Sequence, residues 1–152
     1  MTNKNIPDIY NYLQEIAWHF GNHGINGECC GDLSLVEFMA LKKASEDKDL
    51  SIQEIGSTLN FTKSGATRII DRLENKGYVT REHSLLDGRV CCVAATAKGK
   101  EVTTNISEKY TVYLDEMLKD LEPQMFENIK DVLEILVKAV RQKAFIYSKQ
   151  TI

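Results

Sequence analysis

Residues 50–102 read LSIQEIGSTLNFTKSGATRIIDRLENKGYVTREHSLLDGRVCCVAATAKGKEV, and the punctuation of this stretch decides the fold. Ser51-Ile52-Gln53-Glu54 fits a capping box, in which the serine oxygen meets free amides while the glutamate reaches back. It predicts a short helix with Ile52, Ile55 and Leu59 turned inward. Asn60-Phe61-Thr62 breaks that helix, and Thr62 can cap a second one that runs to about Lys76. Gly77 then stands where a left-handed C-terminal residue belongs. After Gly77 the period changes from helix to strand. Tyr78–Glu82 and Arg89–Val93 are β-prone, and the intervening His83–Gly88 ends in an Asp-Gly turn signal. Helix, turn, helix and hairpin in that order predict a winged helix-turn-helix.

The second helix carries the functional reading. On a helical projection Ala66, Ile69, Ile70 and Leu73 share one face, while Ser64, Thr67, Arg68, Asp71 and Asn75 lie opposite, with Arg72 to one side. A DNA-reading helix needs one apolar face for its own domain and short donors with a cation on the other, mostly in its N-terminal turns. Lys63, Ser64, Thr67, Arg68 and Arg72 are therefore candidate DNA contacts; an amphipathic surface helix would show the same division. Arg81, Asp87 and Arg89 of the hairpin join the candidates. An arginine at a hairpin tip can enter the narrow, electronegative minor groove, and Asp87 could orient the Arg89 guanidinium. The plainer reading of the tip is a solvated turn.

Working outward, Ile9, Leu13, Ile16, Ala17 and Phe20 form a helical stripe over residues 6–21. Gly21–Gly31 holds four glycines and reads as a loop. Ser34-Leu35-Val36-Glu37 is a further capping box, opening a helix before the charged run SEDKD. Thr96 can cap a long helix containing Val102, Ile106, Tyr110, Leu114, Met117 and Leu121. Pro123 suits the first turn of the last helix. The expected architecture is mainly α: residues 1–31 an N-terminal dimerisation helix and loop, 32–96 the DNA-binding lobe, and 97–152 C-terminal dimerisation helices.

Composition agrees with a globular chain. Of 152 residues 43% are hydrophobic and 27% charged, which excludes disorder and fibrous repeats. No apolar run is long enough to cross a bilayer. The N-terminus lacks a secretory signal pattern, so a cytoplasmic location is expected. The net charge of −3 hides an asymmetry. From Phe61 to Lys100 eight basic side chains face four acidic ones, against eleven and eighteen elsewhere. A basic middle in an acidic chain can meet a polyanion through that middle alone. No nucleophile motif, phosphate loop, paired catalytic carboxylates or H-E-x-x-H is present, so an enzyme is not expected.

Four cysteines stand as Cys29-Cys30 and Cys91-Cys92. Adjacent pairs suit free thiols better than a disulfide scaffold. Cys29 and Cys30, in a Gly-rich loop, could chelate a thiophilic metal or sense oxidants, or simply be structural. Strand alternation puts Cys91 inward with Val93 and turns Cys92 outward. His19, His23 and Cys29 make a weak metal set, and the metal is left unknown. Tyr10, Trp18, Phe20 and Phe38 could line an effector cavity or belong to the core.

The quoted run resembles the DNA-binding lobe of the MarR family of bacterial and archaeal repressors. The family pattern is leucine-glutamate-x-x-glycine, two apolar or aromatic residues, x, arginine; then an aspartate-x-arginine wing and a threonine-x-x-glycine helix start. Leu73-Glu74, Gly77-Tyr78-Val79, Arg81, Asp87, Arg89, Thr96 and Gly99 match it. Leu85 and Leu86 in the wing tip, Ala95 and the cysteine pairs depart from it. The resemblance implies a homodimer joined through the first and the last two helices, binding double-stranded DNA at a near-palindromic operator. It implies a repressor released by a small-molecule, metal or redox effector. The alternative is a winged-helix protein-interaction module without a specific operator.

Overall fold

A computed structural model describes residues 2–21, 31–83 and 90–150, apart from the side chains of 90, 91 and 144–150. Cys29, Cys30, His23, Asp87 and Arg89 lie outside the described residues. The elements run α1 (Ile6–Gly21), α2 (Leu35–Glu46), α3 (Ile52–Thr58), α4 (Lys63–Asn75), β1 (Val79–His83), β2 (Val90–Ala95), α5 (Ala97–Leu118) and α6 (Pro123–Gln150). They fall into two compact units, Met1–Tyr113 and Leu114–Ile152.

The helix boundaries follow the side-chain oxygens. Ser34 and Ser51 each accept from the amide three residues on, and Glu37 and Glu54 return the bond to the cap backbone. Thr62 accepts from Gly65 N at 3.1 Å and Thr96 from Gly99 N at 3.0 Å, starting α4 and α5. Pro123 opens α6 as expected.

At its end α4 closes in the paired bonds of a Schellman motif. The Gly77 amide meets Glu74 O and the Tyr78 amide meets Leu73 O, both at 2.9 Å, with Gly77 at φ 80°. This corrects the strand boundaries read from the sequence. The Tyr78 amide is already engaged by the helix end, so the ladder begins at Val79, not Tyr78, and pairs Val79 with Ala95.

α2, α3, α4 and the hairpin enclose one core within the first unit. Leu41, Ile55, Ile70, Leu73, Val79 and Val93 are almost completely buried, with Leu33, Phe38, Tyr78 and Ile106 around them. Each such side chain stabilises by roughly 1.5–3 kcal/mol relative to exposure. Leu50 adds one bridge to β2, its carbonyl accepting from Val93 N at 2.8 Å. The angle between α3 and α4 is set at Gly56, where a Cβ would lie 2.9 Å from that of Ala66. The turn between them closes through Asn60 at φ 63°, a conformation asparagine tolerates, and Phe61 N bonds Gly56 O at 2.8 Å.

The cysteine assignment on β2 needs correction. Cys92, expected outward as a free thiol, is buried and disulfide-bonded. Its sulfur partner is not among the described side chains. The alternation holds for Val93, which enters the core.

Gly56→Val should destabilise the first unit by about 2 kcal/mol, the cost of forcing bulk into a closed helix crossing. Urea denaturation checks this; an unchanged midpoint would show that α3 and α4 can move apart at no cost.

Candidate nucleic-acid interface

The interface is built on α4, whose inner face of Ala66, Ile69, Ile70 and Leu73 is buried. Lys63, Ser64 and Arg68 are exposed on the other face. The Thr67 hydroxyl donates to Lys63 O at 3.0 Å, so its lone pairs remain for an outside donor. Among the described residues neither Lys63 nor Arg68 has a carboxylate partner. The predicted N-terminal contact set thus shares one uncovered face, with two cations available to an anion.

The remaining cations are differently placed. Arg81, on β1, donates to two carboxylates of α4 at once, Nη2 to Asp71 and Nη1 to Glu74. Its side chain is 21% exposed. The hydrogen bond it donates to Asp71, acting against the cost of burial and with the charge of Glu74, holds its pKa above the usual arginine range. Arg72 donates its Nε to Glu37 Oε1 at 2.8 Å, yet its side chain remains 53% exposed. Lys76 Nζ donates to Glu37 Oε2 at 2.9 Å and to Asp32 O at 2.6 Å.

Glu37 is the residue that sequence reasoning saw only in part. Its capping role was legible three residues from Ser34; its cationic partners lie 35 and 39 residues away. The residue is 4% exposed. Burial would raise its pKa, but hydrogen bonds from Lys76, the Ser34 amide and Arg72 outweigh burial and hold it below the ordinary carboxylate value. Beside it the Tyr78 hydroxyl donates to Asp32 Oδ1 at 2.8 Å, which raises the phenol pKa. Lys98 Nζ sits 4.9 Å above the Tyr78 ring and donates to Lys76 O.

The four aromatic residues considered for a cavity separate. Phe38 is core, Phe20 packs against Tyr110, and Tyr10 is exposed. Trp18 lines an open cavity of about 530 Å³ with Gln14, Ala17, Gly21, Ser34, Leu35 and Val36. His19 Nε2 lies 3.0 Å from Tyr113 Oη and its ring stacks there. No cluster of three metal-ligating side chains occurs among the described residues.

Comparison with known proteins places this geometry. The sequence model of the MarR family matches residues 33–91. The helix-turn-helix-type transcriptional regulator PapX of Escherichia coli is 33% identical over 117 residues, covering 75% of this chain and 68% of PapX. The chain belongs to the MarR family. Among solved structures, a MarR family protein from Bacillus stearothermophilus superimposes with a TM-score of 0.80 at 20% identity, covering 92% of this chain and 98% of that one. FabT of Streptococcus pneumoniae, solved in complex with DNA, gives a TM-score of 0.67 at 19% identity over 92% and 95% of the two chains. This MarR family member is a DNA-binding transcriptional regulator of the winged helix-turn-helix type, not an enzyme.

Glu37→Gln should lower stability at pH 7 by about 1–2 kcal/mol, a value discounted because Arg72 can regain water. A carboxylate with a lowered folded-state pKa stabilises above its unfolded value and loses that contribution as pH falls through the folded value. The gap between parent and variant should therefore be full at pH 7 and narrow progressively below the ordinary value of 4.5. Thermal melts from pH 7 to 3 check this, and a gap that does not change with pH would disprove it.

Proposed function

We propose that this MarR family regulator is a homodimeric repressor that reads a near-palindromic operator and is released by a small-molecule, metal or redox effector. The observation that carries the reading is the outer face of α4, where Lys63, Ser64, Thr67 and Arg68 lie together, the two cations without a carboxylate partner among the described residues. Arg68, opposite Ile69, Ile70 and Leu73, is assigned to a base edge in the major groove. Arginine can bind guanine through two hydrogen bonds worth about 1–3 kcal/mol of discrimination. Arg81, engaged by Asp71 and Glu74, is assigned to bracing the hairpin against α4. Asp87 and Arg89 complete the reading as the wing's minor-groove contact.

Dimerisation is inferred from uncovered apolar faces. No residue of α1 is buried, and Ile6, Ile9, Leu13 and Ile16 are 40–50% exposed. On α6, Phe126, Val132, Leu133, Val137 and Val140 are exposed as well. A second copy related by a twofold axis would cover such faces and set two α4 helices into adjacent major grooves, about 34 Å apart. Cysteine chemistry supports a redox effector: Cys92 is disulfide-bonded, and Cys29 and Cys30 offer two further sulfurs. The cavity beside Trp18 is the corresponding place for an organic effector. A repressor acting on DNA would work in the cytoplasm.

Selection of duplexes from a random pool should return a near-palindrome, with binding that weakens steeply as salt rises. Arg68→Ala should then relax preference at one base pair per half-site; uniform weakening on every variant site would reassign Arg68 to a phosphate. Sedimentation should give a dimer for the full chain, and a monomer at micromolar concentration would defeat the symmetric-operator reading. Diamide and dithiothreitol should shift operator affinity in the parent more than in Cys92→Ser. Equal responses would remove the disulfide from regulation.

A further inference from the structure

We propose that Glu37 is a positioning residue for DNA recognition, acting through Arg72; the inference rests on the DNA-binding reading above. The geometry divides the arginine in two. Its Nε donates inward to the buried Oε1 of Glu37 at 2.8 Å, while the side chain is still half exposed. The two η nitrogens have no partner among the described residues. An arginine on a helix surface ordinarily samples many rotamers, and ordering one on binding costs rotamer entropy. Here the inward bond has already fixed the guanidinium plane, so the outward fork is presented ready-made to a phosphate at the flank of α4.

The anchor is itself rigid. Glu37 Oε2 accepts from Ser34 N at 3.1 Å and from Lys76 Nζ at 2.9 Å. Lys76 also reaches Asp32 O, and Asp32 accepts from the Tyr78 hydroxyl. One carboxylate thereby ties the first turn of α2 to the last turn and C-cap of α4, and Lys76 carries the link on through Asp32 to Tyr78, the residue preceding β1. Each oxygen has a separate task, Oε1 for Arg72 and Oε2 for the helix cap and Lys76. A glutamine here can keep its carbonyl oxygen on the cap, since glutamine also closes a capping box. Its NH2 group then faces the Nε–H of Arg72, donor against donor, and the hold on the guanidinium is lost while the helix start is retained.

The test uses the full chain and the duplex that the parent protein selects from a random pool. Glu37→Gln should weaken binding about tenfold at near-physiological salt, with melting temperature at pH 7 still well above the assay temperature. In an Arg72→Ala background the same substitution should change affinity less than twofold. Arg72→Ala should also flatten the salt dependence by about one unit of log-log slope per half-site, the signature of one lost phosphate contact. Arg72→Lys alters only an exposed side chain, keeps the charge and removes the Nε–H; it should bind nearly as weakly as Arg72→Ala. Should Glu37→Gln fail to fold, the Arg72 variants decide alone. Equal losses from Glu37→Gln in both backgrounds, or parent-like binding by Arg72→Lys, would overturn the proposal. A parent protein that selects no sequence at all would overturn the DNA reading first, and this inference with it.

Discussion

A carboxylate enclosed at 4% exposure has to be compensated, and the way Glu37 is compensated organises the DNA-binding lobe. An unpaired buried charge costs several kcal/mol, so the chain must deliver cations to it or leave it protonated. Two arrive, Arg72 from the last turn of α4 and Lys76 from its C-cap, four residues apart and so one above the other. Their arrival fixes the rotation of α4 about its own axis. That rotation turns Ile69, Ile70 and Leu73 into the core and leaves Lys63, Ser64 and Arg68 outside. The apolar burial supplies most of the stabilisation, but greasy contact alone tolerates sliding. Hydrogen-bonded charge specifies one orientation.

The same helix is held from its other flank. Arg81 crosses from β1 to Asp71 and Glu74, so α4 is gripped by opposite charges on two sides. Basic residues in this region therefore divide by task. Arg81 and Lys76 are consumed by carboxylates of the fold, Lys98 by the Tyr78 ring and a helix-end carbonyl, and Lys63 and Arg68 remain available to a polyanion. The Arg81 pairs, whose carboxylates are exposed, add little to stability in water. Their value lies in fixing where the hairpin leaves α4.

Regulation in this reading needs a second arrangement of the same parts. One candidate route starts at the first turn of α2: Ser34, Leu35 and Val36 line the cavity beside Trp18, and Glu37 follows directly on the helix. A contact made at that turn bears on the carboxylate that orients α4. The disulfide-bonded Cys92 lies on the hairpin, whose Arg81 reaches α4.

The sequence by itself determined the elements, because their signals are local. Capping serines and threonines sit three residues from the amides they satisfy. Gly77 marks a left-handed residue that needs no distant partner, and the inner face of α4 repeats with the period of its own helix. The family resemblance was legible for the same reason, being an ordered spacing within one stretch. Only the tertiary structure decided which charges are spent. Nothing near Glu37 in sequence says that Arg72 and Lys76 will close over it, nor does anything around Arg81 predict that two acids of α4 will hold it. Those pairings depend on how helices cross and on how close two backbones come at Gly56. Cys92 was misread on the same account: strand alternation says which way a side chain points, but not what covers that face.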